Sequence, residues 1–431
     1  MKARVGDLPA RSASGSRPRV LLVAPQPFFR MTGTPFSTLA ICRALGEIGF
    51  EVHMATLPGG YDVGLPRLTL HRTLRLPLVG QIPVGFSVGK MLYNVLLAGV
   101  VCRLILKWRF AAVHAVEEAG FYAVPLARLL RLPAIIDLDS DLCQQLRGHE
   151  SWLARLLASP AGWLRRMALR SATGALSMGE RTTAIVRAES PATLVFEVMD
   201  APIQAALRQP DPARMKVYRD RLGMKGKRLV VYTGNYDRRQ GLEMLIEAMT
   251  LLHGRHPDAA LLIVGGSAHE VRTLQHRIDA LGLTHVARLI GSHPPETMAE
   301  YMGMAEVLVS PRLEAFVTPL KIFSYMASGR PIVATDLPTH SQVLSADTAI
   351  LTPTTAVGLA QGISRALDEP MLAARLGERA RSVASTKYSY LRFEQQLRTA
   401  YAALVGLPGN SPSACRQTLD RPCADQINNL E

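Results

Sequence analysis

Two trains of short apolar runs, each alternating with helix-forming segments, constrain this 431-residue chain more than any other feature. The first train comprises residues 19–25, 49–56, 111–116, 134–139 and 174–177. Each run is nearly continuous in Val, Ile, Leu and Ala and is bounded by Gly, Pro or Asp, as expected of strands buried on both faces. Helical stretches such as 38–48 separate the runs, so neighbouring strands must be parallel. The rhythm pauses over 200–212, where Ala201-Pro202 and Gln209-Pro210-Asp211-Pro212 interrupt it. A second train follows at 229–234, 260–264, 287–290, 305–309 and 331–334. The expectation is α/β: two Rossmann-like, doubly wound parallel-sheet domains facing a central cleft, the first over 19–200 and the second over 201–389. The stripe Phe393, Leu397, Tyr401 and Leu404 marks 390–405 as a last helix with one apolar face.

The ends of the chain are different in kind. Residues 1–18 carry basic side chains with no apolar stretch behind them, so they read as a disordered lead and not as a secretory signal. Residues 408–431 are polar and proline-containing and read as a disordered tail. Cys42, Cys102, Cys143, Cys415 and Cys423 have neither metal-ligand spacing nor a disulfide pattern, which points to a reducing, cytoplasmic compartment. The most apolar helical stretch, 91–106, is interrupted by Asn94 and Arg103 and is shorter than a bilayer requires. It reads as a buried helix of the first domain.

Charge narrows the partners. The chain carries a formal net charge of +14, and the excess is denser over residues 1–200. An anionic partner is implied: a pyrophosphate-bearing substrate, nucleic acid or a lipid surface. Segment 151–170 (SWLARLLASPAGWLRRMALR) joins Trp152, Trp163 and leucines to Arg155, Arg165, Arg166 and Arg170. With Pro160 splitting it, it reads as two short amphipathic, basic helices suited to an anionic membrane surface. An ordinary core-facing helix fits the same pattern.

Chemistry-bearing residues cluster at the carboxyl ends of the expected strands. In open parallel sheets, ligands bind there, next to helix N-termini that attract phosphate. After the first strand comes Met31-Thr32-Gly33-Thr34-Pro35, where Gly33 admits a close backbone approach. His114-Ala115-Val116-Glu117-Glu118 closes another strand, and Asp137-Leu138-Asp139-Ser140-Asp141 a third. Three alternating carboxylates could chelate a metal, but helix capping by Asp139 or Ser140 is the commoner use, so no metal is assigned. In the second half stand Gly234-Asn235-Tyr236-Asp237-Arg238-Arg239-Gln240-Gly241, Gly265-Gly266, and Gly291-Ser292. Finally comes EAFVTPLKIFSYMASGRPIVATD, from Glu314 to Asp336.

These motifs, in this order, resemble those of the family 4 glycosyltransferases, which have the GT-B fold. The resemblance covers about residues 19–405 and implies that the last helix, 390–405, crosses back to the first domain. It implies transfer of a sugar from a nucleotide diphosphate sugar to an acceptor hydroxyl, with retention at the anomeric carbon, without a metal ion or other cofactor. It implies that Glu314 and Glu118 face the donor sugar and act in catalysis. Gly33, Thr34, Gly234, Asn235, Arg239, Gln240, Gly265, Gly266, Ser292, Thr318, Pro319, Lys321 and Ser324 would bind the donor. His114, Glu117 and Asp139 fall on the acceptor side. The chain departs from the family pattern at three places: Asn235 and Gln240 stand where an Arg and a Lys usually hold the diphosphate, and Ser324 stands where a Glu usually holds the ribose. Arg238, Arg239 and Lys321 are the cations at hand to compensate. These losses keep a catalytically silent binding or scaffold subunit in view, alongside a GT-B nucleotide-sugar epimerase. The expected partners are a nucleotide sugar and a lipid-linked acceptor at the cytoplasmic membrane surface, with no nucleic acid.

Overall fold

The computed structural model describes residues 17–30, 33–77, 87–139, 142–148, 151–314 and 318–408. Nearly all of the expected lead and tail, and Met31, Thr32, Ser140 and Asp141 of the motifs, lie outside the described residues.

Seven parallel strands form the first sheet: β1 (Arg19–Pro27), β2 (Glu51–Leu57), β3 (Leu68–Arg72), β4 (Ala112–Val116), β5 (Ala134–Leu138), β6 (Gly174–Ser177) and β7 (Leu194–Glu197). Their order is β3-β2-β1-β4-β5-β6-β7. Six more form the second: β8 (Arg228–Thr233), β9 (Ala259–Val264), β10 (Ala287–Leu289), β11 (Val307–Ser310), β12 (Ile332–Thr335) and β13 (Ile350–Thr352), ordered β10-β9-β8-β11-β12-β13. Strand order reverses between β1 and β4 in one sheet and between β8 and β11 in the other. Those reversals open the crevices in which ligands of such sheets bind. The motifs at Gly33 and Glu117 flank the first crevice; those at Gly234 and Glu314 flank the second.

Helices cover both faces of each sheet. On one face of the first sheet lie α2 (Val88–Lys107), α3 (Gly120–Leu129) and α5 (Trp152–Ser171), with α4 (Leu142–Arg147) packed against α5. Tyr93, Leu97 and Val101 of α2, Ala123 and Ala127 of α3, and Ala168 and Leu169 of α5 share one core there. On the other face lies α1 (Gly33–Ile48), and beside it the helix Tyr390–Leu404, whose Phe393, Leu397, Tyr401 and Leu404 enter the first domain's second core.

Several expectations require correction. Strands β3, β7 and β13 did not stand out in the sequence, because β3 and β7 are edge strands without a continuous apolar run and β13 has only three residues. Helix α1 begins at Gly33, five residues before the expected start. Helix α2 is not a buried helix: Tyr93 and Leu97 face the core, while Met91, Leu92, Val95 and Leu106 are exposed. Over Gly89–Lys107 it is long and apolar enough to cross a membrane by length and composition. Pro160 does not split α5, which runs unbroken. Proline lacks the N–H that would bond the carbonyl four residues back. Both Pro160 and Leu156 stand on the exposed side, where that carbonyl is not sealed in the core.

Candidate active site

The second crevice concentrates positive charge. Lys321 extends from the first turn of the helix Leu320–Ser328 beneath the loop that follows β8. Its Nζ donates to Gln240 Oε1 at 3.0 Å and sits 3.7 Å from the centre of the Tyr232 ring. Tyr232 donates its hydroxyl to the same Gln240 oxygen at 3.2 Å and to the Asn235 carbonyl at 2.7 Å. Burial holds the Lys321 pKa well below its ordinary value, and the neighbouring Arg312 guanidinium lowers it further. Arg312 is itself pulled down, chiefly by burial and partly by Arg239. Arg239 differs: its guanidinium grips Asp237 with two bonds of 2.9 Å, which raises its pKa. Beneath this group His340 bonds the Thr335 carbonyl at 2.7 Å through Nδ1 and Ser310 Oγ at 3.1 Å through Nε2. Burial lowers its pKa to about 4, so it adds no charge at neutral pH.

Backbone shape lets the loops meet over this charge. Gly234 has φ 139°, and a Cβ there would stand 2.8 Å from Lys321 Nζ. Gly265, at φ 127°, packs so close that a Cβ would lie 1.9 Å from the Gly234 carbonyl oxygen. No side chain fits either place, and both require the left-handed side of φ. Tyr236 lies flat on Gly266, beside the turn after β9. Glu314 is exposed at the end of β11, near enough to Arg239 to raise its pKa. Ser292 is exposed at the rim. Pro319 occupies the cap position of the helix Leu320–Ser328, whose first N–H groups open toward the crevice.

Some expected donor residues turn out to be committed elsewhere. Thr318 is buried, and its hydroxyl donates to the Thr339 carbonyl at 2.8 Å while accepting from Gln342 Nε2. Ser324 is buried, and its Oγ accepts from the Ile203 N–H of the interdomain linker at 3.3 Å. The Thr318 hydroxyl is thereby engaged as both donor and acceptor, and the buried Ser324 oxygen is held against the linker. Gln240 positions Lys321 through the oxygen that the lysine and Tyr232 share.

The first crevice also departs from expectation. Glu118 forms a buried ion pair with Lys90 of α2, 2.5 Å between charged atoms, so its carboxylate holds α2 in place and is not free for a sugar. Glu117, at φ 51°, is the member of the pair that lies near Asp139. His114 is fully buried in β4 with both ring nitrogens engaged: Nε2 bonds Asp137 Oδ2 at 3.3 Å and Nδ1 the Tyr401 hydroxyl at 2.8 Å. It ties the crossing helix to the sheet and offers no surface to an acceptor. Asp139 is buried too, and desolvation, then the nearby Asp137, raise its pKa well above the carboxylate range. Among the described residues no group of His, Cys, Asp and Glu has a metal-holding arrangement. Gly33 and Thr34 open α1 at the crevice, and nothing lies within 4 Å of where a Gly33 Cβ would be.

Sequence reasoning missed Arg312, Tyr232, Tyr236 and His340. A cation two residues beyond strand β11, at a strand-order reversal, was the one available signal, and it belongs to Arg312. Tyr232 sits inside an apolar run and reads as core, and His340 stands in a polar Pro-Thr-His-Ser-Gln stretch that reads as a loop.

Residues 215–383 match the model of the family "Glycosyl transferases group 1". That stretch is similar to the group 1 glycosyltransferases. The chain is 28% identical over 302 residues to the alpha-D-kanosaminyltransferase of Streptomyces kanamyceticus, covering 68% of this chain and 77% of that protein. It is 31% identical over 183 residues to the phosphatidyl-myo-inositol mannosyltransferase of Mycolicibacterium smegmatis, covering 42% of this chain and 46% of that one. For that second relative the chain matches less than half the length. Among solved structures, sucrose-phosphate synthase from Thermosynechococcus elongatus superposes with a TM-score of 0.74 at 21% identity, over 89% of this chain and 98% of that one. The fold is GT-B.

Proposed function

We propose that this GT-B protein transfers a sugar from a nucleotide diphosphate sugar to an acceptor hydroxyl, with retention at the anomeric carbon and without a metal ion. The observation that carries the reading is the pair Lys321 and Arg312, half-buried beside each other at the strand-order reversal of the second sheet, with Lys321 Nζ directly under the Gly234 backbone. Two such cations attract an anion that they can hold with charge-assisted hydrogen bonds. A diphosphate at the Gly234 loop, facing the N-terminus of the helix Leu320–Ser328, fits that charge. The same cations would do the charge neutralisation that a divalent metal performs in other transferases.

In this reading Glu314 orients the donor sugar from the cleft side. The bond between the anomeric carbon and the diphosphate oxygen breaks as the acceptor oxygen attacks from the same face. The acceptor proton passes to the departing phosphate oxygen. Such a route asks the protein for positioning and electrostatic stabilisation and needs no protein nucleophile. On the acceptor side, Glu117 lies at the mouth of the first crevice, where Glu118 is committed to Lys90 and Asp139 is buried beside Asp137. A lipid-linked acceptor at the cytoplasmic membrane face is the best-supported class, since one relative is named for mannosyl transfer to phosphatidyl-myo-inositol.

A panel of nucleotide diphosphate sugars tests the proposal. A cognate donor raises the melting temperature by mass action. Glu314→Gln then keeps that stabilisation but loses most turnover. An unchanged rate removes Glu314 from the mechanism. Donor binding with no transfer or hydrolysis favours a binding subunit, and an epimerised sugar favours an epimerase.

A further inference from the structure

The helical layer α2, α3 and α5 is the least explained surface of the molecule. Its three sequences, VGKMLYNVLLAGVVCRLILK, GFYAVPLARL and WLARLLASPAGWLRRMALRS, contain no Asp or Glu at all. Surface helices of a soluble domain ordinarily mix both signs of charge with few exposed apolar groups. Here the outward sides carry large apolar residues instead.

On α2, Val95 is 73% exposed and Leu106 80%, with Met91 and Leu92 about half exposed. On α5, Trp152 is 70% exposed and Trp163 57%, with Leu156 and Met167 exposed on the same face. At 100° per residue, Trp152, Trp163, Leu156 and Met167 fall on one arc, Arg155 and Arg166 fall on the adjoining arc, and Arg170 stands in line with Trp152. Both arcs face outward, because the opposite side of α5 is the alanine-rich side packed on α3 and α4. Arg165 is the exception: it is buried in a bidentate ion pair with Glu189, at 2.9 and 2.6 Å, and plays no part in this surface. Arg103 and Lys107 of α2 and Arg128 of α3 add exposed positive charge at the far ends of their helices.

We infer that this layer is a membrane-docking face, with α2 and α5 lying together in the plane of an anionic bilayer. A helix with tryptophan and aliphatic side chains beside a basic arc rests at the boundary between headgroups and acyl chains. Anionic lipid complements the unbroken positive charge. Helix α2 has the length and hydropathy of a span but does not cross, since Tyr93, Leu97 and Val101 fix its inner side to the sheet. In a parallel βα layout the helix N-termini lie at the cleft end of the sheet. Docking therefore brings Met91 and Trp152, and with them the mouth of the cleft, to the lipid. The inference deepens the acceptor side of the proposed function and is independent of the donor chemistry.

The experiment uses the full chain and vesicles of phosphatidylcholine with or without phosphatidylglycerol. At low salt the protein should co-sediment with the anionic vesicles alone, with a blue shift of tryptophan emission, and high salt should release it. Two double variants separate the helices: Val95→Asp with Leu106→Asp on α2, and Arg155→Glu with Arg166→Glu on α5. All four side chains are exposed, so melting temperatures should hold. Each pair should lower vesicle partitioning by at least about tenfold, since one surface charge alone is worth roughly fivefold. The inference fails if wild-type protein ignores anionic vesicles at low salt, or if the α2 pair binds as wild type does. It fails equally if the free protein is a dimer that the α2 pair makes monomeric, because the face then belongs to a second copy. Nucleoside diphosphate binding without vesicles tests the donor reading separately.

Discussion

Lys321 shows how one side chain can be tuned by its surroundings alone. Gln240, Tyr232 and the Gly234 backbone hold it, while burial and Arg312 make its charged form expensive. A diphosphate restores the ammonium, so binding takes up a proton at pH values above the lowered pKa of the free protein. Diphosphate affinity should therefore fall as pH rises through that range, and calorimetry in buffers of different ionisation enthalpy should record the uptake. Lys321→Ala should weaken nucleoside diphosphate binding by about 1.5–3 kcal/mol and abolish the proton uptake, leaving nucleoside affinity almost unchanged. Equal weakening of nucleoside and diphosphate would assign Lys321 to the fold. Gln240 belongs to the same argument as a positioning residue, since it touches the lysine from within the protein.

At the scale of elements, the crossing helix Tyr390–Leu404 matters most to the architecture. Tyr401 reaches His114 in β4, which in turn reaches Asp137 in β5, so one buried chain of hydrogen bonds joins the helix to two strands. With Asp137 accepting from Nε2–H, Nδ1 accepts from the tyrosine hydroxyl. Tyr401→Phe leaves that nitrogen buried without a donor and should cost about 1–3 kcal/mol in denaturant unfolding. Packing sets a second constraint. A Cβ at Gly174 would come within 2.4 Å of the Leu404 side chain and 3.1 Å of the Leu194 carbonyl oxygen. Gly174→Val should lower the melting temperature more than Tyr401→Phe does, because it obstructs both the helix and the strand pairing of β6 with β7. A smaller loss from the valine would show that the helix can shift aside.

For the whole molecule, buried carboxyl groups at the junction of the domains couple stability to pH. Burial raises Asp200, in the linker after β7, to about 7 from an ordinary 3.8, against the lowering effect of its bond to Ser37. Asp139 is raised in the same direction. The folded state therefore holds protons that the unfolded chain has released, and its stability falls as pH rises from about 4 to 7. His340 works in the opposite sense: its folded value of about 4 lies below 6.5, so stability from this group rises across that interval. The comparison with Asp200→Asn isolates the carboxyl. Denaturation midpoints of that variant should lose the downward contribution and exceed wild type increasingly toward pH 7. Parallel profiles would mean that Asp200 is solvated in the folded protein.

The sequence by itself determined the two parallel-sheet domains and most of the strands, because buried parallel strands must be continuously apolar and their spacing leaves room only for helices; the strand order, and with it the reversal points, came from the structure. It also put Gly234 and Gly265 at strand ends, since they follow β8 and β9 directly, while Glu314 and Lys321 were singled out by the motif they share with a known family. What it could not supply was which polar groups were already spoken for. Glu118 looks like a sugar ligand until Lys90, from a different helix, takes it. Thr318 and Ser324 look like donor contacts until Thr339, Gln342 and the linker N–H of Ile203 claim their hydroxyls. Arg312 belongs to none of the motifs, yet it stands half-buried beside Lys321. A helix periodicity likewise gives an apolar stripe without saying whether a core or an open surface meets it, and α2 and α5 present both. Hydrogen-bond capacity, burial and the facing of a stripe are settled by neighbours distant in sequence, and only the tertiary structure decided them.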